Sequence, residues 1–476
     1  MLVVDVITER LIRAGVRHVF GVGGANIEDL FAAVQRRRPE IRAVLCKQEH
    51  AAATAADAYA RLRDALGVVM VTSGGAAMNL VHALAEAHAS GVPLLAVVGE
   101  PPTALQGHGA FQDSSGRAGS IDGAVVFGAV SRRCIRVRDA AELPAALESA
   151  LAAALGPEPG PAVLLLAKDV QRCEIEATAV PAFEPTVRAP EPVAVRDALA
   201  RLRGEGRTLV VAGPSVARRG AQSLLRELVT KLDADVAVTP DARDAFDARD
   251  PRFVGVVGAM RHPEVSRALT DATTCVLVGT RLPLLARLGH ESMLRDKPTV
   301  SLGGLPPWLD LTDAVHVAGD VRACLEACVR ALPERAIPSR DRAAPIAAAV
   351  ASGPTLRAAD VMRALADRLP HGATVLVDAG NTGATAVHHL PAPPQGRWLI
   401  AMGMGGMGWT FGAATGAAHA TGGRCIAITG DGALYMHGLE IHTAVEHRLP
   451  ITYVVLDNAA HGMCLVRERL LLGFCS

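Results

Sequence analysis

The chain is poor in the features that would mark it for a polyanion, a membrane or an oxidising compartment. Its 48 Lys+Arg are matched by 48 Asp+Glu, so no net charge is left to hold a nucleic acid or an anionic lipid surface. Only four of the basic residues are lysines (Lys47, Lys168, Lys231, Lys297), which reads as the codon bias of a GC-rich genome rather than as chemistry. Aromatic residues make up 3%. Nine cysteines are scattered without a Cys-x-x-Cys pair, which points to a reducing cytoplasm. Cys324 and Cys328, four apart, read as buried packing residues before they read as metal ligands. Asp5 and Glu9 interrupt the apolar stretch that a leader would need, so no export is expected. Apolar runs such as Ala-Val-Leu-Leu-Leu-Ala at 162–167 fall well short of the ~18 residues of a membrane span.

What remains is a 476-residue chain that is 50% hydrophobic, long enough for two to four domains at roughly 100–200 residues each. Short apolar runs alternate with Ala- and Leu-rich helical stretches over nearly its whole length. That is the pattern of an α/β protein, with mostly parallel sheets flanked by helices. Strands are expected at 18–22, 43–46, 67–72, 94–99, 162–166, 208–212, 236–239, 274–279, 374–378, 424–429 and 451–456. Proline-rich stretches at 181–192 and 332–354 read as linkers. Three domains follow, at 1–180, 190–335 and 354–476, the last of them short.

Chemistry concentrates near the C-terminus. A strand-like run ends in Gly430-Asp431-Gly432, and after a helical stretch a second ends in Asp457-Asn458-Ala459-Ala460. In an open parallel sheet, ligands gather at the carboxyl ends of strands, and glycines beside an aspartate admit a bound anion close to the backbone. The Asp431 carboxylate, the Asn458 amide oxygen and the Ala460 carbonyl suit a hard cation such as Mg²⁺, with positions left for diphosphate oxygens and water. The spacing fits one helical crossover between neighbouring strands. Upstream, Gly403-Met404-Gly405-Gly406-Met407-Gly408-Trp409 opens an alanine-rich helix, where bare backbone can approach a flat ligand. Close helix packing is the plainer explanation of the same glycines.

Taken in order, these motifs resemble the thiamine-diphosphate enzymes of the acetolactate synthase and pyruvate decarboxylase type. The resemblance covers almost the whole chain. His18-Val-Phe-Gly-Val-Gly-Gly-Ala-Asn26 is similar to the family's first strand and loop, and the Lys47–Arg61 stretch to its catalytic-glutamate helix, with Glu49 at the glutamate. Thr72-Ser-Gly-Gly-Ala-Ala-Met-Asn79, Gly109-Ala-Phe-Gln112 and Asp378-Ala-Gly-Asn381 resemble further family loops. Val211–Ser215 and Val238–Arg243 resemble strand ends of its middle domain, which in some members binds FAD; none is expected here.

The resemblance implies pyrimidine-binding, central and diphosphate-binding domains, with thiamine diphosphate and Mg²⁺ as cofactors. Glu49 would hydrogen-bond the pyrimidine ring and act as an indirect base. The Gly405 carbonyl would receive the pyrimidine amino group, and Met407 would be the wedge that bends the cofactor. Asn381, Gly430, Asp431, Gly432, Ala433 and Asn458 would line the diphosphate site, with Asp431, Asn458 and Ala460 on the metal. Phe111 and Gln112 would face the substrate. His461, just past the metal loop, is a further candidate.

The implied reaction is decarboxylation of a 2-oxoacid, pyruvate by default, and ligation to a second carbonyl. Alternatives are a pathway-specific acyloin carboligase, a simple 2-oxoacid decarboxylase, or a non-catalytic cofactor-binding or regulatory subunit. The family places each site between two chains, Glu49 from one and Asp431 from the other, so a homodimer or dimer of dimers is expected. Four places depart from the common pattern: Gly23, Gly75-Ala76, Gln48 and Asp457. The chain also ends soon after the metal loop, where family members continue with a helix and a covering tail.

Overall fold

The computed structural model describes residues 1–176, 187–334 and 356–473. Of the two proposed linkers, 181–186 and 335–354 lie outside the described residues. The chain divides into two compact units, Met1–Thr186 with Ala401–His461, and Val187–Ile400 with Gly462–Ser476.

In the first unit, β1 (His18–Gly21), β2 (Arg42–Leu45), β3 (Gly67–Val71), β4 (Leu94–Glu100), β5 (Arg133–Val137) and β6 (Pro161–Ala167) form a parallel sheet in the order β2-β1-β3-β4-β6-β5. Every residue of β3, β4 and β6 is buried, because helices cover both faces of the sheet. Side chains alternate between two cores. Val68, Met70, Leu95, Val97, Leu164 and Leu166 enter one. Val69, Val71, Leu94, Ala96, Val98, Val163 and Leu165 enter the other. Alternation with apolar residues on both sides is why these strands read as unbroken apolar runs.

The second unit holds another six-stranded parallel sheet. Its strands are β7 (Thr208–Ala212), β8 (Asp235–Val238), β9 (Phe253–Val256), β10 (Thr274–Val278), β11 (Thr299–Gly303) and β12 (Ala314–Ala318), in the order β12-β11-β10-β7-β8-β9. Cys324 and Cys328 are buried in the helix Val321–Ala331, and burial pushes their thiols up, to about 12 and about 11.

Four further strands pair in parallel, two in each unit. Of these, β13 (Thr374–Val377) pairs with β14 (Arg397–Ile400), and β15 (Cys425–Gly430) pairs with β16 (Ile451–Leu456). The expected class, three parallel-sheet α/β domains, is the observed one. Five strands escaped the sequence reading: β5, β9, β11, β12 and β14. Among the described residues no helix is long and apolar enough to cross a membrane.

Candidate active site

The site is built from the first unit, where two helices meet backbone to backbone at two points. One runs Glu49–Arg63 and the other Trp409–Thr421. A Cβ added to Gly412 would lie 2.2 Å from the Ala51 carbonyl oxygen, and one added to Gly416 would lie 1.9 Å from that of Ala55. Only glycine permits that approach. Gly412 and Gly416, further along the alanine-rich helix, therefore serve helix packing.

The crossing brings the start of the glutamate helix to the glycine loop 403–408. Glu49, the first residue of its helix, is half-buried, and its Oε2 accepts from Asn79 Nδ2 at 2.8 Å. Gln48 Oε1 bonds His437 Nδ1 at 2.8 Å. His437 ends the helix Asp431–His437, whose first residue follows β15 directly. With His50 also stacked on His437, the glutamate helix and the Asp431 helix touch within one chain, whereas the resemblance led to the expectation that Glu49 and Asp431 come from different chains.

Asp431 is 8% exposed, and Ala433 is buried behind it. The β15–β16 register pairs Gly430 with Leu456, so Asp431 and Asp457 each follow a matched pair at neighbouring strand ends. Beyond β16, Asp457 Oδ1 accepts from Ala459 N at 2.8 Å and Asn458 Oδ1 from Ala460 N at 3.2 Å. Three residues converge at the loop itself: a Cβ on Gly432 would meet Met407 Cε at 2.9 Å and His461 Cε1 at 3.1 Å. Gly405 has φ +67 and open space where a Cβ would stand.

A second group lines the strand ends of the first sheet. Asn26 Nδ2 donates to Ser73 Oγ at 2.7 Å, and Ser73 Oγ donates to Gln112 Oε1 at 3.2 Å. Gln112 sits at φ +62, and its side chain covers Gly74. Phe111 is 85% exposed. Asn381 opens the helix Asn381–His389 after β13 in the other unit.

Several participants had no signal in the sequence. His50 stacks between His82 (4.7 Å) and His437 (4.2 Å). Burial, with the two neighbouring rings, pushes His50 down to about 3, so it stays neutral. Glu86 is 2% exposed and binds the amides of Gly403 and Met404. Asp57 and Arg61, of the glutamate helix, form a buried ion pair, and Arg61 also reaches Glu86 at 3.3 Å. A glutamate inside Ala-Glu-Ala-His reads as one more helical residue, and the loop amides it binds lie more than 300 positions away.

Three family profiles match the chain in order. The thiamine pyrophosphate enzyme N-terminal TPP binding domain covers residues 1–118. The central domain covers 195–328, and the C-terminal TPP binding domain covers 378–470. Among curated relatives, a probable acetolactate synthase large subunit of Methanococcus aeolicus is 24% identical, over 96% of this chain and 80% of its own length. The acetolactate synthase isozyme 1 large subunit of Escherichia coli K12 is 27% identical, over 98% of this chain and 83% of its own. The acetolactate synthase large subunit of Parasynechococcus marenigrum is 28% identical, over 96% and 76%. With all three domains in the family's order, and the glutamate helix joined to the glycine loop, this chain belongs to the thiamine pyrophosphate enzymes.

Proposed function

We propose that the protein decarboxylates a 2-oxoacid, pyruvate, and joins the retained fragment to a second carbonyl compound, as an acetolactate synthase does. The observation that carries this reading is the direct contact of the Glu49 helix with the helix that leaves the glycine loop. It holds a carboxyl group and a metal-type aspartate in one unit.

The residues fit the cofactor. Gly405 leaves its surroundings open, Met407 stands against Gly432 as a wedge would, and Asp431 is buried at a strand end. Asp431, Asn458 and the Ala460 carbonyl would hold Mg²⁺, while Gly430, Gly432 and Ala433 would line the diphosphate. When bound, thiamine diphosphate supplies the electron sink for cleavage beside the carbonyl. Glu49 would hold a proton at its carboxyl against the pyrimidine ring, oriented by Asn79. Gln112, fixed by Ser73, would offer its amide to the substrate, with Phe111 alongside. We take a homodimer or dimer of dimers as the assembly, supported by the exposed apolar side chains of Tyr435 and Leu439 (83% and 90%).

The test is product analysis with purified protein, thiamine diphosphate, Mg²⁺ and pyruvate. Acetolactate supports the proposal, whereas free aldehyde alone makes the protein a decarboxylase. Tight cofactor binding with no CO₂ from any 2-oxoacid makes it a binding subunit. A mixed acyloin supports a second reading, a carboligase with another acceptor. That reading is favoured by Gln48, which stands where acetolactate synthases usually have histidine and is here committed to His437.

A further inference from the structure

The loop 403–408 is held from outside itself. Glu86, on the helix Val81–Ala89, accepts from Gly403 N at 3.1 Å through Oε1 and from Met404 N at 2.6 Å through Oε2. The Ser90 hydroxyl donates to Oε1 at 2.7 Å, and Arg61 Nη2 to the same oxygen at 3.3 Å. Arg61 also lies 5.4 Å over the Trp409 ring, the first residue after the loop.

A structural ion pair does not require this arrangement. Arg61 already has Asp57, so Glu86 brings a second buried carboxylate to one guanidinium, which is costly unless other donors compensate. Those donors are the two loop amides. Burial opposes the Glu86 charge, but Arg61 and the donors from Met404, Ser90 and Gly403 hold its pKa below the ordinary value.

The imidazole stack braces the remainder. A Cβ on Gly406 would lie 1.7 Å from His82 Nε2, and one on Gly408 would lie 2.2 Å from His437 Cδ2, with His50 between the two rings.

We propose that Glu86 is a positioning residue for the cofactor: by binding the Gly403 and Met404 amides it sets the glycine loop against the Glu49 helix before any ligand arrives. This rests on the reading that the loop receives the pyrimidine ring. A preformed loop removes an ordering cost from binding, so Glu86 acts on cofactor affinity and little on the chemical step.

The experiment uses the full chain and its Glu86→Gln variant, whose amide nitrogen can only donate where a carboxylate oxygen accepted. Without cofactor, exchange of the Gly403 and Met404 amides should quicken about tenfold or more, as loss of a charge-assisted bond implies, while the 411–418 amides stay protected. The Kd for thiamine diphosphate with Mg²⁺ should rise about tenfold for the same reason, and kcat at saturating cofactor should stay within about twofold. If Glu86→Gln does not fold, Ser90→Ala removes one donor and should move both readouts in the same direction by about threefold. Wild-type protein that takes up no cofactor overturns the loop reading and the proposal together. Wild-type uptake combined with unchanged exchange and Kd in the variant overturns the proposal alone.

Discussion

The glycine loop 403–408 and the turn 457–460 both border the candidate site, and they are held in opposite ways. The loop is fixed by Glu86 and by the histidine rings, all distant in sequence. The turn is fixed by its own side chains, with Asp457 and Asn458 each bonding an amide two residues on and Ala459 at φ +52. Asp457, Asn458 and Ala459 are exposed. Local bonds of this kind compete with ligation but are easily exchanged, whereas a buried network is ready in advance and costly to remake. The loop, on the proposed ring side of the site, is therefore preformed, and the turn, on the proposed metal side, is free to adjust.

The largest effect should come from the preformed side. Glu49→Gln should lower kcat by about 10²–10⁴, the usual worth of a placed proton-transfer group, with cofactor binding retained by calorimetry. Unchanged turnover would remove Glu49 from the chemistry. On the metal side, Asp431→Ala should weaken Mg²⁺-dependent cofactor binding by at least about 100-fold, since even outer-shell partners are worth roughly 10–100-fold. Asn458→Ala should cost about tenfold on the same scale. Equal losses would mean that the turn is as rigid as the loop, and would erase the contrast.

Gly416→Ala puts a methyl group into the Ala55 carbonyl and should destabilise the protein by about 1–3 kcal/mol, read from chemical denaturation. An unshifted midpoint would show that the helix crossing can yield.

A further prediction concerns pH. Burial first, then neighbouring charges, lowers His50 to about 3 and His18 and His419 to about 4. The unfolded chain therefore takes up protons before the folded one. Stability should be full above ~6.5, fall as pH drops and level off once the folded-state values are passed. His50→Gln should flatten that decline in melting temperature; an identical slope would show that the stack carries no such cost.

Legibility in the sequence followed the same division. Strands buried on both faces, such as β4 and β6, announce themselves as apolar runs. Among the strands that escaped, β5, β9 and β12 lie at the edges of the six-stranded sheets, where burial no longer dictates composition. There Arg133 and Arg136 interrupt β5, Gly255 interrupts β9 at an irregular register, and His316 interrupts β12. At the site, residues that belong to contiguous motifs, Glu49 and Asp431–Ala433, could be named in advance. Glu86 and His82 could not, because their meaning comes from partners that only the folded chain supplies.

The seam at Gly412 and Gly416 has one more consequence. With backbone pressed on backbone at these two points, and the Thr54 hydroxyl packed beside Gly412, little room is left for the two helices to slide past each other. Adaptation to a new substrate must then fall on the loops at the seam's end, while the spacing of the two helices is kept.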